Sequence, residues 1–453
     1  MDQNEILDLL RYVADPEERT SLYHQLYPDT IKLSVAENVL IFEDLKKDIF
    51  DKVAIERPHA KYWRSYGDEE LLGMATGFLA NALGVESLVP NKVFGVAGVS
   101  AALECLAFAL FKRQDPREPK YTVIAPAPCW QGFKWCFAQR PDMNFETFKS
   151  TSQQDPFELT LADVMKAHQD INPKPKALVL TNPHNPLGIN YKPELLEDIY
   201  KTVLQRTEMH IISDELYCHS QVGQPNPSFK SALALGAYKN ATEAQKQRVH
   251  VVWGFAKDFG LSGFKAGFII SSSPAVHRAL QGTKETQTMA WFSPFDSLKH
   301  AMLKKLLSEK RDREPYTRYI MGKYQKVLTE NFNAIAGLLK DRGIRYYRDK
   351  EENANQAQFF WLDLHEFLSH VPDVHCEPAG GFIDGGPLFE EIDEQEEKLR
   401  CYIEKEAKVL LLPGQTLRSP VPGFFRMCYT AEQKGVVETA VTRMADALDK
   451  LRP

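Results

Sequence analysis

The chain has 453 residues, 43 % of them hydrophobic and 26 % charged, the composition of an ordinary globular protein with room for about two or three domains. A formal charge of -6 leaves no electrostatic footprint for nucleic acid or an anionic membrane surface as partner. No apolar run approaches the roughly 18 residues that a membrane span needs. The opening residues, MDQNEILDLL, carry acids where a secretory leader carries bases, so a cytoplasmic protein is expected. Seven cysteines, scattered and without a CxxC pair, read as reduced thiols and not as a disulfide frame or zinc site. His365, Glu366 and His370 are spaced by five and do not share a helical face, so no metal is expected there.

Residues 1–34 are polar and mixed, ending in a short apolar run at 31–35. Ile41, Leu45, Ile49 and Val53, four apart, predict an amphipathic helix closed by Pro58. A polar loop with Tyr66 and Gly67 follows, then a second helix with Leu71, Ala75, Phe78, Leu79 and Ala82 on one face. From about residue 92 short apolar runs alternate with helical patterns: VFGVAG, TVIAPA, the weaker NFETF, ALVLTNP, HIISDE, HVVWGF and AGFIIS. Most are continuous, as expected of parallel strands buried on both faces. A helix opened by Pro193, with Leu195, Leu196, Ile199, Tyr200 and Val203 as its stripe, separates two of them. This alternation predicts an α/β fold whose large domain holds a mostly parallel, seven-stranded sheet between helices.

Beyond about residue 310 the rhythm changes. A long helix bearing Val327, Leu328, Phe332, Ile335, Leu338 and Leu339 leads to the strand-like FFWLDL, a glycine-rich loop (GGFIDGG) and an acidic helix around residues 390–398. The acidic run is expected to be a solvated face. KVLLLPG, FFRMCYT and a closing helix complete a smaller α+β domain. The expected division is an N-terminal segment (1–50) packing with the small domain, a large domain (51–310) and a small C-terminal domain (311–453).

Ligands of open parallel sheets bind beyond the carboxyl ends of the strands, so the residues after each run carry the functional reading. After VFGV, Gly98, Val99 and Ser100 are small residues opening a helix, where backbone N–H groups and the helix dipole favour a phosphate. Trp130 follows TVIA; Asn182 and Asn185 follow ALVLT between prolines; Asp214, Glu215 and Tyr217 follow HIIS; and Lys257 follows HVVWGF. A lysine in an apolar frame loses its proton more readily than one on the surface, because burial disfavours the ammonium. Phosphate cradle, stacking aromatic, amide, carboxylate, phenol and lysine on one rim describe a site for a flat, phosphorylated, nitrogen-containing ring that forms an imine with lysine: pyridoxal 5'-phosphate.

With SVAENVL, TNPHNPLG, SDELY, AKDFGLSGFKAG and GFFRMCY in this order, the chain resembles the fold-type I pyridoxal-phosphate enzymes of the class I/II aminotransferase superfamily, and within them the 1-aminocyclopropane-1-carboxylate synthases. The resemblance runs from about residue 30 to 430. It implies that Lys257 binds the cofactor and later moves the Cα proton, and that Asp214 pairs with the pyridine nitrogen. Asn185 and Tyr217 would hold the ring 3-oxygen, Trp130 would stack on the ring, and Gly98, Val99, Ser100 and Lys265 would hold the phosphate. Arg426 would bind the substrate carboxylate as a fork, and Glu37 would lie at the substrate. Tyr66 would reach the phosphate of a second subunit, which implies a homodimer with a shared active site. The implied activity is γ-elimination with cyclisation, or γ-substitution, on S-adenosylmethionine or a similar amino acid; transamination is the alternative, and a non-catalytic binding relative a third. This chain departs from the family pattern in having Gly254 and Ala256 where Ser-x-Ser precedes the lysine, Lys265 for an arginine, and Val39 for the synthases' glutamine.

Overall fold

The computed structural model of the chain describes residues 29–61, 64–111, 115, 117–282, 295–374 and 393–452. A short strand, β1 (Ile31–Lys32), precedes the seven strands expected from the apolar runs: β2 (Val93–Val96), β3 (Thr122–Pro126), β4 (Asn144–Phe148), β5 (Pro175–Thr181), β6 (His210–Asp214), β7 (Val249–Gly254) and β8 (Gly267–Ser271). The seven form one sheet in the order β2-β8-β7-β6-β5-β3-β4. Neighbours run parallel except β8, which is antiparallel to both β2 and β7. The central strands are buried apart from Lys176 and His210 near their starts, as continuous apolar runs require; β4, at the sheet edge, is mostly half-buried or exposed, which is why its sequence signal is weak. The helix opened by Pro193 spans Pro193–Arg206 and buries Leu196, Ile199, Tyr200 and Val203 as it crosses from β5 to β6.

Because β5, β6 and β7 are adjacent and parallel, the loops that follow them emerge side by side. Hydrogen bonding continues past the strand ends, Asn182 N to Asp214 O (2.9 Å) and Glu215 N to Val252 O (3.0 Å), so the three loops leave the sheet already tied together.

A second, four-stranded antiparallel sheet has the spatial order Arg345–Tyr346, Phe359–Asp363, Phe424–Cys428, Leu412–Pro413, with Trp361 opposite Arg426. The helix Tyr316–Asp341 buries Leu328, Ile335 and Leu339. Strand β1 pairs in parallel with Val409–Leu410, and Cys428 N donates to Leu33 O (2.8 Å), so the N-terminal segment lies along this part of the fold. Among the described residues no helix is long and apolar enough to cross a membrane.

Three expectations need correction. The first helix is shorter than its spacing suggests: it spans Phe42–Asp48, passes into a 3-10 turn at Phe50–Lys52 and leaves Val53 extended. Ile41, Leu45 and Ile49 are fully buried, but Val53 is only half-buried and adds little packing to extend the helix. The acidic segment is only in part a solvated face: Glu394 is exposed, residues 390–392 lie outside the described residues, and Glu396 is withdrawn. In the helix Glu394–Ala407, Glu396 is fully buried and accepts the backbone N–H of Gln415 (2.9 Å) and Gly423 (2.7 Å), while buried Arg400 pairs with Glu397 and Glu404. Buried charge is tolerated where partners meet it. Cys105, Cys129, Cys136, Cys218 and Cys428 are free and buried, but Cys401 is disulfide-bonded, a pairing that linear spacing does not disclose. The glycine-rich loop at 380–386 lies outside the described residues.

The two sheets meet at Gly188. Its φ is +64°, Gln356 N donates to its carbonyl (2.5 Å), and a Cβ there would stand 2.7 Å from Phe359 O. Gly188→Ala is therefore expected to destabilise the fold by about 2 kcal/mol or more, from left-handed backbone strain plus the clash. Thermal unfolding of the variant should show a midpoint lowered by several degrees; an unchanged midpoint would mean that the seam relaxes freely.

Candidate functional site

Lys257 stands three residues past β7. Its loop is held by Phe255 N to Ala266 O (3.0 Å), Leu261 N to Phe255 O (3.1 Å) and Gly260 N to Lys257 O (3.0 Å). Gly260 adopts φ +69°, and a Cβ there would fall 2.1 Å from Asn38 O, so only glycine lets the N-terminal segment lie this close. Asn38 Nδ2 donates to the carbonyls of Lys257 (2.9 Å) and Asp258 (3.1 Å). The Lys257 Nζ donates to Ala36 O at 2.6 Å. Burial, followed by the positive charge of Arg426, draws the lysine down to about 8, with Cys428 and Glu37 opposing the shift.

Asp214 closes β6. It is buried and held by long contacts, from Leu216 N (3.4 Å) and Thr181 Oγ1 (3.5 Å). Burial pushes its carboxyl up to about 7, and the charge of Lys257 acts in the other direction. A carboxylate so placed is stabilised by a cation or an N–H donor. Tyr217, one turn on, is buried with its ring edge-on to Phe359 (5.3 Å), and burial raises its phenol.

From the second sheet Arg426 reaches across. It is buried, donates from Nη1 to Asn185 Oδ1 (2.8 Å) and from Nη2 to Ser34 O (2.6 Å), and lies over the Phe359 ring at 4.7 Å. The arginine expected from GFFRMCY and the asparagine expected from TNPHNPLG are thus in direct contact.

Gly98 caps the helix Val99–Leu110 with φ +88°, and its Cβ position lies 3.6 Å from the Cα of Lys265. Small residues, a left-handed glycine and a helix N-terminus form an anion cradle, and Lys265, exposed and itself left-handed at φ +51°, borders it. Gly254 is crowded: a Cβ there would meet Ala266 O at 3.0 Å and Val99 Cγ2 at 3.3 Å, so a serine in this place would have to push them aside. Trp130 is half-buried and lies on Gly132, whose Cβ would fall 2.1 Å from the indole; Phe133 and Trp135 meet it edge-on at 5.4 and 6.3 Å. Glu37 is exposed; its backbone carbonyl accepts from Thr430 Oγ1 (2.5 Å), and its charge reaches Lys257.

Lys257, Asp214, Asn185, Tyr217, Arg426 and Glu37 thus gather round one rim, with the Gly98–Ser100 cradle and Lys265 beside it. Tyr66 is placed apart: half-buried, it packs edge-on to Phe94 (5.8 Å), and its carbonyl accepts from Gly95 N (2.7 Å). The chemistry of this set fits pyridoxal phosphate: a cradle for the phosphate, a buried carboxylate met only by long contacts among the described residues and so suited to the ring nitrogen, and a lysine partly deprotonated near neutral pH. Residues to which the sequence assigns no role also shape the rim. Asn38 stands within SVAENVL and Asp258 beside the lysine, whereas Ser220, Tyr324 and Gln358 are brought in by tertiary structure alone.

Comparison with known proteins gives the same picture. The family model described as aminotransferase class I and II matches residues 28–444. The 1-aminocyclopropane-1-carboxylate synthase 7 of Arabidopsis thaliana is 26% identical over 449 residues, covering 93% of this chain and 88% of that protein. The 1-aminocyclopropane-1-carboxylate synthase of Malus domestica is 26% identical over 445 residues, covering 93% and 84%. Among solved structures, the aromatic aminotransferase from Pyrococcus horikoshii superposes with a TM-score of 0.70 at 19% identity over 100% of both chains. The aspartate aminotransferase from Rhizobium meliloti gives 0.70 at 17% identity over 97% and 98%. At these identities the structural likeness speaks for the fold alone.

Since Lys257 reacts with an aldehyde only as the free amine, and the amine predominates above its lowered pKa of about 8, capture of pyridoxal phosphate by apo-protein should accelerate with a midpoint near pH 8. An unperturbed lysine would show its midpoint at about 10.4. Stopped-flow absorbance across pH 6–11 (roughly the span between the titration ranges of His and Lys) measures this. A midpoint near the ordinary value would mean that the lysine is not desolvated.

Proposed function

Because the chain belongs to the aminotransferase class I and II family and is a pyridoxal-phosphate-dependent enzyme, we propose that it acts as a lyase on an α-amino acid with a γ leaving group, S-adenosylmethionine or a close analogue. The observation that carries this reading is the placement of Glu37. The segment bearing it is pinned to the Lys257 loop through Asn38, and the charge of its exposed carboxylate acts on Lys257. A carboxylate in that position suits a sulfonium. The curated relatives support the same choice by name.

The roles follow from position. Arg426 releases part of its hold on Asn185 and Ser34 and forks onto the substrate carboxylate. Gly98, Val99 and Ser100 would supply N–H groups to the phosphate, Lys265 would add a charge, and Trp130 would stack on the ring. Asn185 and Tyr217 would hold the ring oxygen, and Asp214 would keep the ring nitrogen protonated. Pyridoxal phosphate, when bound, supplies the electron sink that makes the Cα proton removable. Lys257, as the amine, takes that proton from Cα. Glu37 pairs with the sulfonium, the Cα electrons close onto Cγ, the Cγ–S bond breaks and methylthioadenosine leaves. Tyr66 belongs to a homodimer in this reading, reaching the phosphate of the second subunit.

Mixing the enzyme with S-adenosylmethionine should release methylthioadenosine with no keto acid present, and Glu37→Gln should slow the release by about a hundredfold in kcat, the scale of losing one charge-stabilising group. Conversion of the cofactor to its amine form by ordinary amino acids, with the sulfonium compound left intact, would assign transamination instead. Lys265→Arg should slow cofactor loss on dialysis, because a fork replaces a point charge at the phosphate; equal or faster loss would place Lys265 elsewhere in the grip.

A further inference from the structure

We infer that Asp258 is the positioning residue of this site: its carboxylate sets the distance between the loop that carries Lys257 and the turn that carries Asp214 and Tyr217. The inference rests on Lys257 as the cofactor lysine. Asp258 is fully buried, and among the described residues the donors that meet its carboxylate come from the three residues after Tyr217: His219 N to Oδ2 (2.9 Å), Ser220 Oγ to Oδ1 (2.6 Å) and Cys218 Sγ to Oδ2 (3.8 Å). One side chain next to the lysine thus holds the start of the following turn on the neighbouring strand.

The same node is gripped from the second sheet and from the long helix. Ser220 Oγ hydrogen-bonds Tyr324 OH (2.8 Å), and Gln358 Nε2 donates to Tyr324 OH (2.7 Å), to Ser220 Oγ (3.3 Å) and to the Lys257 carbonyl (3.0 Å). With Asn38 on the other side of that carbonyl, the Lys257 peptide is fixed by residues about 100 and 220 positions away in sequence. A buried carboxylate met only by neutral donors costs free energy and persists where it secures a geometry. Asp258 works through place: the donors it accepts from belong to the turn that follows Tyr217.

The test compares wild type with Asp258→Asn, Ser220→Ala and the double variant, all as the full chain. Thermal unfolding reports folding, stopped-flow absorbance reports capture of pyridoxal phosphate by apo-protein, and borohydride reduction with peptide mapping reports which lysine is labelled. Each single variant should remain folded and capture the cofactor about tenfold more slowly, a modest share of the hundredfold that a misplacement of one ångström can cost. The double variant should be no slower than the worse single one, because both changes break the same tie. Capture at the wild-type rate with only a lowered unfolding midpoint would make Asp258 a structural buttress and overturn the inference. Wild-type labelling on a lysine other than Lys257 would overturn the cofactor-lysine reading, and this inference with it; labelling on Lys257 together with unchanged variant rates would overturn this inference alone.

Discussion

The site depends on one constraint: β5, β6 and β7 are neighbours running in the same direction. Parallel neighbours must deliver their carboxyl ends to the same edge, so the residues just after Thr181, Asp214 and Gly254 are forced into proximity. The three strand ends bring to that edge an amide, a carboxylate with a phenol one turn on, and a lysine. Burial then acts on the groups that adjacency has assembled. It raises the carboxyl of Asp214 and lowers the lysine of Lys257, so that both titrate nearer to neutral pH than they would in water.

The rim is completed from elsewhere in the chain. Arg426 arrives from the second sheet and hydrogen-bonds both Asn185 of the first sheet and Ser34 of the N-terminal segment. A single guanidinium therefore reports whether three parts of the fold are in place. The same division of labour appears at Lys257, whose carbonyl is held by Asn38 and by Gln358, and whose Nζ rests on Ala36 O. The groups proposed to hold the cofactor belong mostly to the first sheet; those proposed for substrate capture come from its neighbours.

Much of this was legible in the sequence, and the reason is local. Strands buried on both faces have to be continuous apolar runs, so six of the seven showed themselves plainly and the edge strand β4 only weakly, and the residues just after a run can be read without knowing the fold. The parts that could not be read depend on long-range contact. Nothing near Ser220, Tyr324 or Gln358 marks them as partners, since their meeting is decided by how the helix Tyr316–Asp341 and the second sheet dock. The acidic helix misled for a related reason: charge composition says nothing of whether Glu396 will find the N–H groups of Gln415 and Gly423. Gly254 is the reverse case, a departure from the family pattern that the surrounding packing explains, since the Val99 side chain and the Ala266 carbonyl crowd the room that a serine would use.

The N-terminal segment between Leu33 and Leu40 has a property that its contacts imply together. Ser34, Ala36 and Asn38 are buried and face inward, while Val35 and Glu37 between them are exposed. The carbonyls of Ser34 and Ala36 serve Arg426 and Lys257 in turn, and the Asn38 amide serves the Lys257 carbonyl. The segment is a gauge with a two-residue pitch, laid across the site and fixed at one end by the pairing of Ile31–Lys32 with Val409–Leu410. Such a gauge tolerates a change of side chain at the exposed Val35 but not a change of length. One inserted or deleted residue would invert its faces, turning the atoms that hold the arginine and the lysine toward solvent and presenting Val35 to the site in their place.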